Sequence, residues 1–322
     1  MLAAAIVACL TGAYVLRNAG IDDVGVSYRY ARHLAEGSGL TWNAGEEPVE
    51  GYSNLLWVLM LSAGQLFGTD IETFSRVLGL ILGIGTLLIT YRLAVTLATV
   101  NHEGLAAIVP LFVALTPAWL MWVMSGLEIA LYSFLLVLAV RAVTLSGRSR
   151  VVTASAALSL LILTRPEAIG LALCYLLVVW IMNVAEKQSS LRGLGIPLLA
   201  VIGTVAAVTV FRLVYYGYPL PNTVYAKFST LFPSAKVVVR WILYSAPFLF
   251  LWALSSRWWW RTRARGPMLC AIALVIVQTL QVLPVNPVMH FLHRYTIAFV
   301  PLLYLPVPFL LNRASARSRA LA

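Results

Sequence analysis

Long apolar runs recur along the whole chain, and they constrain its fold more than any other feature. Their usual length, roughly 17–25 residues, is what an α-helix needs to cross about 30 Å of hydrocarbon. Of the 322 residues, 61% are hydrophobic and 11% are charged, more apolar surface than one soluble core of this size can bury. No polar stretch is long enough to fold alone. The sequence therefore predicts one all-α polytopic membrane domain over residues 1–322, without a soluble C-terminal domain.

The apolar runs predict about ten membrane spans and leave one run that is harder to place. Asn54–Phe67 is short for a span and follows a polar loop, so we interpret it as an interfacial helix within a first extracytoplasmic loop over residues 18–73. The predicted spans lie at about 1–17, 74–97, 104–123, 128–145, 151–164, 167–183, 194–215, 237–255, 267–283 and 294–311.

The distribution of charge supports this topology. If Asn54–Phe67 does not cross and the N-terminus is cytoplasmic, the cytoplasmic side holds 13 of the 23 basic residues but two of the 12 acidic ones. Cytoplasmic loops of membrane proteins are enriched in Lys and Arg. The net charge of +11 then indicates topology rather than nucleic-acid binding. We predict a multi-pass protein of a bacterial cytoplasmic membrane with both termini in the cytoplasm.

The first outer loop begins with two adjacent carboxylates, Asp22 and Asp23. Near the membrane surface, loss of hydration makes a carboxylate a better general base. Alternatively, either residue could cap the helix that follows. Further along this loop, Trp42, Asn43 and Tyr52 bring aromatic rings beside amides and acids, which is typical of sugar sites and equally typical of membrane interfaces.

The order of several motifs resembles one group of GT-C membrane glycosyltransferases. This AftB-like group comprises mycobacterial terminal arabinofuranosyltransferases and related lipopolysaccharide-type sugar transferases. The resemblance covers about residues 15–305. Its motifs are Asp22-Asp23-x3-Ser27-Tyr28-Arg29-Tyr30-Ala31, the run Glu36–Trp57, Ser125-Gly126-Leu127-Glu128, Thr164-Arg165-Pro166-Glu167, the run Tyr216–Lys227 and His293-Arg294-Tyr295.

The resemblance implies an inverting transfer of a sugar, for example a pentose such as arabinofuranose. The donor would be a polyprenyl-phosphate sugar, the acceptor a cell-envelope glycan or glycolipid, and the site would lie outside the cytoplasm among membrane lipids. The general base would be Asp22 or Asp23, with a narrow preference for Asp22. No cofactor, metal or nucleic acid is expected. Donor or acceptor binding is expected from Arg29, Trp42, Asn43, Glu50, Tyr52, Glu128, Arg165, Asn222, Tyr225, Lys227, His293 and Arg294.

Several of these assignments have structural alternatives. Glu128 could simply start a helix, Arg165 could pair locally with Glu167, and Lys227 could extend to lipid head groups. His290 and His293 form a pair that could bind a metal only with further ligands, and the sequence does not identify any.

Two other functions compete with sugar transfer. A transporter or flippase of lipid-linked sugars would have charges near the middle of its spans and inverted repeats, and the sequence shows neither clearly. A non-catalytic relative is the second alternative. Gly25 and Ile129 support it, since the family usually carries an aromatic residue and a threonine at these positions.

Overall fold

The computed structural model describes residues 1–97, 103–186, 193–227, 235–285 and 291–311, apart from the side chains of residues 103–104 and 226–227. The long elements in these ranges are helices, which confirms the predicted all-α fold. The helices are α1 (Leu2–Val15), α2 (Val24–Ala35), α3 (Leu55–Leu66), α4 (Ile71–Leu97), α5 (Glu103–Ala106), α6 (Ile108–Ala114), α7 (Pro117–Val123), α8 (Ile129–Ala142), α9 (Gly147–Thr164), α10 (Ala168–Ala185), α11 (Gly195–Tyr216), α12 (Asn222–Lys227), α13 (Ala235–Trp259), α14 (Arg265–Gln281) and α15 (Val300–Leu303).

Four helices, α4, α10, α11 and α13, are long and apolar enough to cross a membrane. Helix α10 shows how they are embedded. Leu171 and Tyr175 on one of its faces are buried, while Leu173 and Leu177 on another are each 54% exposed. A helix that is apolar on both its packed and its exposed faces is suited to a lipid environment. The chain is therefore a membrane-embedded, multi-pass protein.

The prediction of about ten spans stays a prediction. Beyond the four long helices, the described residues include shorter apolar helical segments of 10–17 residues. The predicted span at 104–123 is divided into α5, α6 and α7. Helix α7 begins at Pro117 after Thr116, which is extended, because proline disfavours a helical conformation in the preceding residue. The predicted span at 294–311 contains a 3-10 turn, Ile297–Phe299, before α15.

Helix α3 corresponds to the run that we interpreted as interfacial. It has 12 residues, which corresponds to about 18 Å of helix and is shorter than a hydrocarbon core. Helix α2 packs against it, and Trp57 of α3 is fully buried. The segment predicted to be the first outer loop is thus a packed unit of two helices rather than an open linker.

Helices α8, α9, α10, α13 and α14 run between two ends of the helical bundle. Close packing of α10 with α14 fixes this arrangement: a Cβ atom at Gly170 would lie 2.1 Å from Gln281, and one at Gly266 would lie 2.0 Å from Met182. We call the end with residues 125–128, 164–167 and 281–285 the site end, and the end with residues 143–150, 182–186 and 260–267 the opposite end.

Candidate active site

The turn before α8 places Glu128 inside the site end. Gly126 has a φ of +80°, and a Cβ atom there would lie 2.3 Å from the Tyr28 hydroxyl. Only glycine adopts this conformation readily and leaves room for the tyrosine. The Trp57 indole N–H donates to the Gly126 carbonyl at 3.0 Å. The Ser-Gly-Leu-Glu motif therefore holds the Glu128 carboxylate in a fixed position.

Glu128 is 1% exposed, and both of its carboxylate oxygens accept hydrogen bonds. Oε1 accepts from Arg165 Nη1 at 2.6 Å, and Oε2 accepts from Asn54 Nδ2 at 2.8 Å. The Asn54 amide also donates to Ser27 Oγ at 2.9 Å. A buried carboxylate is tolerated only with such partners. This arrangement suits a residue that holds its neighbours in place better than one that accepts a proton.

Arg165 links Glu128 to the turn between α9 and α10. Its Nε atom donates to Glu167 Oε1 at 2.5 Å, and its guanidinium carbon lies 4.6 Å from the centre of the Tyr295 ring. Local pairing with Glu167 and a position facing a cavity were alternative interpretations of the sequence. The structure shows both, since Arg165 also lines an apolar cavity.

A polar cavity of about 200 Å³ opens beside Glu128. Across it, Arg294 Nη1 donates a hydrogen bond to Asp23 Oδ2, joining two segments that are far apart in sequence. Asp23 occupies the N-cap position of α2, but its side chain makes no capping hydrogen bond, so the capping interpretation does not apply to it. The described residues lining the cavity include Asp23 but not Asp22: Asp23, Val26, Ser27, Gly51, Tyr52, Ser53, Asn54, Leu127, Glu128, Thr223 and Arg294.

The backbone before Arg294 is strained. Leu292 and His293 have φ angles of 42° and 59°, a left-handed region that is unfavourable for residues other than glycine. The Trp122 indole N–H donates to the Leu292 carbonyl at 2.9 Å and helps to hold this conformation. Backbone strain of this kind concentrates at functional sites, and here it directs Arg294 toward Asp23.

His293 packs away from the polar cavity. Its ring centre lies 5.5 Å from that of Trp241 and 5.4 Å from that of Tyr244. Burial, together with the positive charge of Arg240, lowers the pKa of His293 below its usual value. His293 therefore packs beside the Arg294 segment through these ring contacts, and its predicted role in binding stays a prediction.

A second, mostly apolar cavity of about 240 Å³ adjoins the polar one, and the two share Ser53 and Thr223. The Arg165–Glu128 ion pair lies where they meet, because Arg165 lines the apolar cavity and Glu128 lines the polar one. The two cavities together suit a ligand with a charged, hydroxylated head and an apolar tail. The apolar cavity is lined by Ser53, Arg165, Pro166, Glu167, Ile169, Leu220, Thr223, Val224, Gln278, Gln281, Val282, Val285 and Tyr295.

Three predicted binding residues between α2 and α3 and on α2 itself contact one another instead. Arg29 donates to the Trp42 carbonyl at 2.6 Å and to Asn43 Oδ1 at 2.7 Å, and its guanidinium carbon lies 4.4 Å from the centre of the Trp42 ring. None of the three is among the described residues that line either cavity. The structure thus separates this cluster from the Asp23 carboxylate.

Glu50 and Tyr52 connect the segment between α2 and α3 to α11. Arg212 Nε donates to Glu50 Oε2 at 2.9 Å, and Nη2 donates to Oε1 at 3.1 Å. Both side chains are buried, so Glu50 is committed to anchoring the loop. The Tyr52 hydroxyl lies 3.1 Å from that of Tyr216. Tyr52 also lines the polar cavity, where the sequence predicted it would act.

Helix α12 contributes different residues from those predicted. Asn222 and Tyr225 are exposed and are not among the described lining residues, whereas Thr223 and Val224 between them are. The side chain of Lys227 and the whole of His290 lie outside the described residues.

Sequence reasoning missed several polar residues that shape the site. Gln278 Nε2 donates to the Tyr295 carbonyl, and Gln281 Nε2 donates to the Glu167 carbonyl, both at 3.0 Å. Polar side chains inside apolar runs are costly in a membrane, so Gln278, Gln281 and Arg212 could have been recognised by that signal. Asn54 and Thr223 resemble ordinary helix-start residues, and nothing in the sequence alone distinguishes them.

The comparisons with known proteins identify a fold rather than a family. No family model matches the sequence, and no curated protein sequence matches it. The chain is similar in structure to ArnT from Cupriavidus metallidurans, a GT-C protein whose crystal structure was determined bound to undecaprenyl phosphate. The TM-score is 0.68 at 16% sequence identity, and the match covers 98% of this chain but 61% of the ArnT chain. Over its length, the chain therefore shares the fold of the matched part of ArnT.

Proposed function

We propose that this protein is an inverting glycosyltransferase that moves a sugar from a polyprenyl-phosphate donor to a cell-envelope glycan or lipid on the extracytoplasmic side. The observation that carries the proposal is the contact between the two cavities. The polar cavity offers carboxylate, amide and guanidinium groups to a sugar and its phosphate, and the apolar cavity offers a path to the lipid. The fold shared with ArnT, which binds undecaprenyl phosphate, supports a donor of this class.

Asp23 is the general base in this proposal. The acceptor hydroxyl oxygen attacks the anomeric carbon as the bond from that carbon to the phosphate oxygen breaks. The lipid phosphate leaves with the electron pair, and the hydroxyl proton passes to the Asp23 carboxylate. Because Asp23 lines the cavity and Asp22 is not among its described lining residues, we prefer Asp23, although the sequence alone slightly favoured Asp22.

Arg294 binds the phosphate of the donor. Arg294 pairs with Asp23, and a bound phosphate would compete for the same guanidinium. The transfer of Arg294 to the phosphate would stabilise the charge of the leaving group and release the Asp23 carboxylate to accept a proton. Glu128 and Arg165 act as positioning residues, because they pair with each other, Glu128 accepts a hydrogen bond from Asn54, and Arg165 also pairs with Glu167.

Within the GT-C glycosyltransferases, we propose the AftB-like group and a pentose such as arabinofuranose as the sugar. The motif order from Asp22 to Tyr295 supports this narrower assignment. The outward orientation of the site follows from the excess of basic residues at the other side of the predicted spans.

The test is sugar transfer in membranes that contain the protein, with radiolabelled polyprenyl-phosphate arabinose as the donor. We expect Asp23→Asn to reduce the transfer rate by about a hundredfold or more, the usual range for a general base. Asp22→Asn is the matched control, because it removes the neighbouring carboxylate, and it should keep most of the activity. Full transfer by Asp23→Asn would contradict the assignment of the base.

The same membranes separate the competing functions. A transporter or flippase would move the labelled lipid across the bilayer without forming a glycosylated product. A non-catalytic relative would retain the labelled lipid and neither move nor transfer it. Either result, repeated with other polyprenyl-phosphate sugars, would contradict glycosyl transfer.

A further inference from the structure

A third cavity lies at the opposite end of the bundle, across the predicted bilayer from the candidate active site. Its volume is about 350 Å³, within the range of about 300–1,000 Å³ that is typical of ligand sites. We call it the basic pocket. It is lined by Val143, Arg150, Met182, Asn183, Ala185, Glu186, Trp260, Arg261, Thr262, Arg263, Arg265, Gly266 and Pro267.

The lining of the basic pocket carries a marked excess of positive charge. Among the described lining residues there are four guanidinium groups and one carboxylate, that of Glu186. Arg261, Arg263 and Arg265 are exposed rather than packed into the core. Like charges gathered around one concave space repel one another, and a bound anion would relieve that repulsion.

Two helix N-termini strengthen the attraction for an anion. Arg150 belongs to the first turn of α9, and Arg265 begins α14. Neither of these helices has an acidic residue in its first turn. The N-terminus of a helix carries a partial positive charge, and arginine there is unfavourable unless an anion is close. The guanidinium group matches phosphate oxygens in geometry and donates two hydrogen bonds to them.

The surroundings of the pocket favour a lipid phosphate over a soluble one. The pocket lies where α10 and α13, both long enough to cross a membrane, reach their ends, which is the level of the lipid head groups. Trp260 is 46% exposed, and its ring centre lies 4.8 Å from the guanidinium carbon of Arg265. Exposed tryptophan beside arginine is typical of the membrane interface, and basic pockets between spanning helices bind anionic head groups.

We infer that the basic pocket binds the head group of an anionic phospholipid from the leaflet opposite the candidate active site. The phosphodiester would lie among Arg261, Arg263 and Arg265, and its acyl chains would extend along the exposed apolar faces of the neighbouring helices. This inference does not depend on the proposed glycosyl transfer.

Native mass spectrometry of the delipidated full-length protein tests the inference, with short-chain phosphatidylglycerol and phosphatidylcholine as probes. We expect retention of phosphatidylglycerol and little retention of phosphatidylcholine. The double variant Arg263→Gln/Arg265→Gln should weaken phosphatidylglycerol binding by about tenfold or more, since it removes two charge-assisted contacts. Arg263→Lys/Arg265→Lys should keep part of the affinity because it keeps the charge.

The matched control is Arg148→Gln/Arg257→Gln. It removes the same charge from exposed residues of α9 and α13 that are not among the described lining residues. This variant should bind phosphatidylglycerol within about twofold of the wild type, because dispersed surface charges are weakly coupled to the ligand. Equal losses in both variants would overturn the site in favour of a diffuse basic surface. Equal retention of phosphatidylcholine would also overturn the inference, and so would complete displacement of the lipid by millimolar inorganic phosphate.

Discussion

The two ends of the bundle differ in how their charged side chains are paired. At the site end, the carboxylates of Asp23, Glu50, Glu72, Glu128 and Glu167 each contact an arginine. At the opposite end, four arginines share the basic pocket with one carboxylate among the described lining residues. Paired charges are held at fixed positions, as a site for polar chemistry needs. Uncompensated charges of one sign attract a mobile anion instead.

The largest predicted difference between the two ends is in the free energy of unfolding after one charged side chain is replaced at each end. Glu128→Leu would leave Arg165 buried with Glu167 as its remaining carboxylate partner, and removal of one member of a buried ion pair costs about 3–5 kcal/mol. Arg263→Gln at the opposite end should change the free energy of unfolding by about 0.5 kcal/mol or less, as exposed substitutions usually do. Denaturant unfolding in detergent micelles measures both.

A double variant checks the cause of the loss at the site end. Glu128→Leu/Arg165→Met replaces the whole pair by apolar residues, which is often close to neutral, so it should recover much of the stability lost in Glu128→Leu. If Glu128→Leu were no more destabilising than Arg263→Gln, the contrast between the two ends would fail.

Part of the fold and part of the candidate site could be predicted from the sequence. The apolar runs predicted an all-α membrane fold, and the structure confirms it. The order of the motifs predicted Asp23, Tyr52, Glu128 and Arg294 as site residues. All four line one cavity in the structure. These residues lie in short motifs, and the roles predicted for them in binding and catalysis stay predictions.

Other features of the site depend on three-dimensional packing. Arg29, Trp42 and Asn43 have the composition of a sugar site, yet their own hydrogen bonds occupy them. Asn54 occupies the N-cap position of α3, but its side chain makes no capping hydrogen bond. Its amide joins Glu128 to Ser27. Which of several plausible partners a polar side chain finds depends on contacts between distant segments, and spacing along the chain does not specify them.

The second prediction compares a left-handed glycine from each end. Gly126 and Gly147 both have positive φ angles, +80° and +54°, but a Cβ atom would meet the Tyr28 hydroxyl in the first case and nothing within 4 Å in the second. Gly147→Ala should cost about 1–2 kcal/mol from conformation alone. Gly126→Ala should cost about 2–4 kcal/mol, because overpacking adds to it. The unfolding midpoint in detergent reports both values.

Tyr28→Phe distinguishes overpacking from backbone conformation. In that background the nearest atom that the new Cβ would meet is absent, while Ser75 Oγ at 3.1 Å and Tyr28 Cζ at 3.4 Å remain. Gly126→Ala should therefore cost less than in the wild type and still more than Gly147→Ala. An unchanged cost would show that the Tyr28 hydroxyl is not the obstacle and that the turn is limited by its backbone alone.

The third prediction concerns a tryptophan from each end. Trp122→Phe removes the indole N–H that donates to the Leu292 carbonyl, a loss of about 1 kcal/mol. This bond holds the strained segment before Arg294. The KM for the polyprenyl-phosphate donor should therefore rise, and the free-energy equivalent of that rise should exceed the loss in the free energy of unfolding. Trp260→Phe at the opposite end should leave that KM unchanged. Equal effects of the two variants on KM would remove Trp122 from the support of the site.

The smallest predicted effect is a dependence of stability on pH that is confined to the site end. Burial and Arg240 lower the pKa of His293 below its usual value, so the folded protein binds fewer protons than the unfolded chain between that lowered pKa and about 6.5. His293 therefore contributes its stabilisation fully above about pH 6.5 and loses it as the pH falls through the lowered pKa. The arginines of the basic pocket keep their charge throughout this range. Relative to His293→Gln, the wild type should lose stability on acidification, and Arg240→Gln should make that loss smaller, because removal of the repelling charge brings the folded-state pKa of His293 closer to its unfolded value. If wild type and His293→Gln unfolded in parallel from about pH 7.5 to 5.5, the segment before Arg294 would not be held by a neutral histidine.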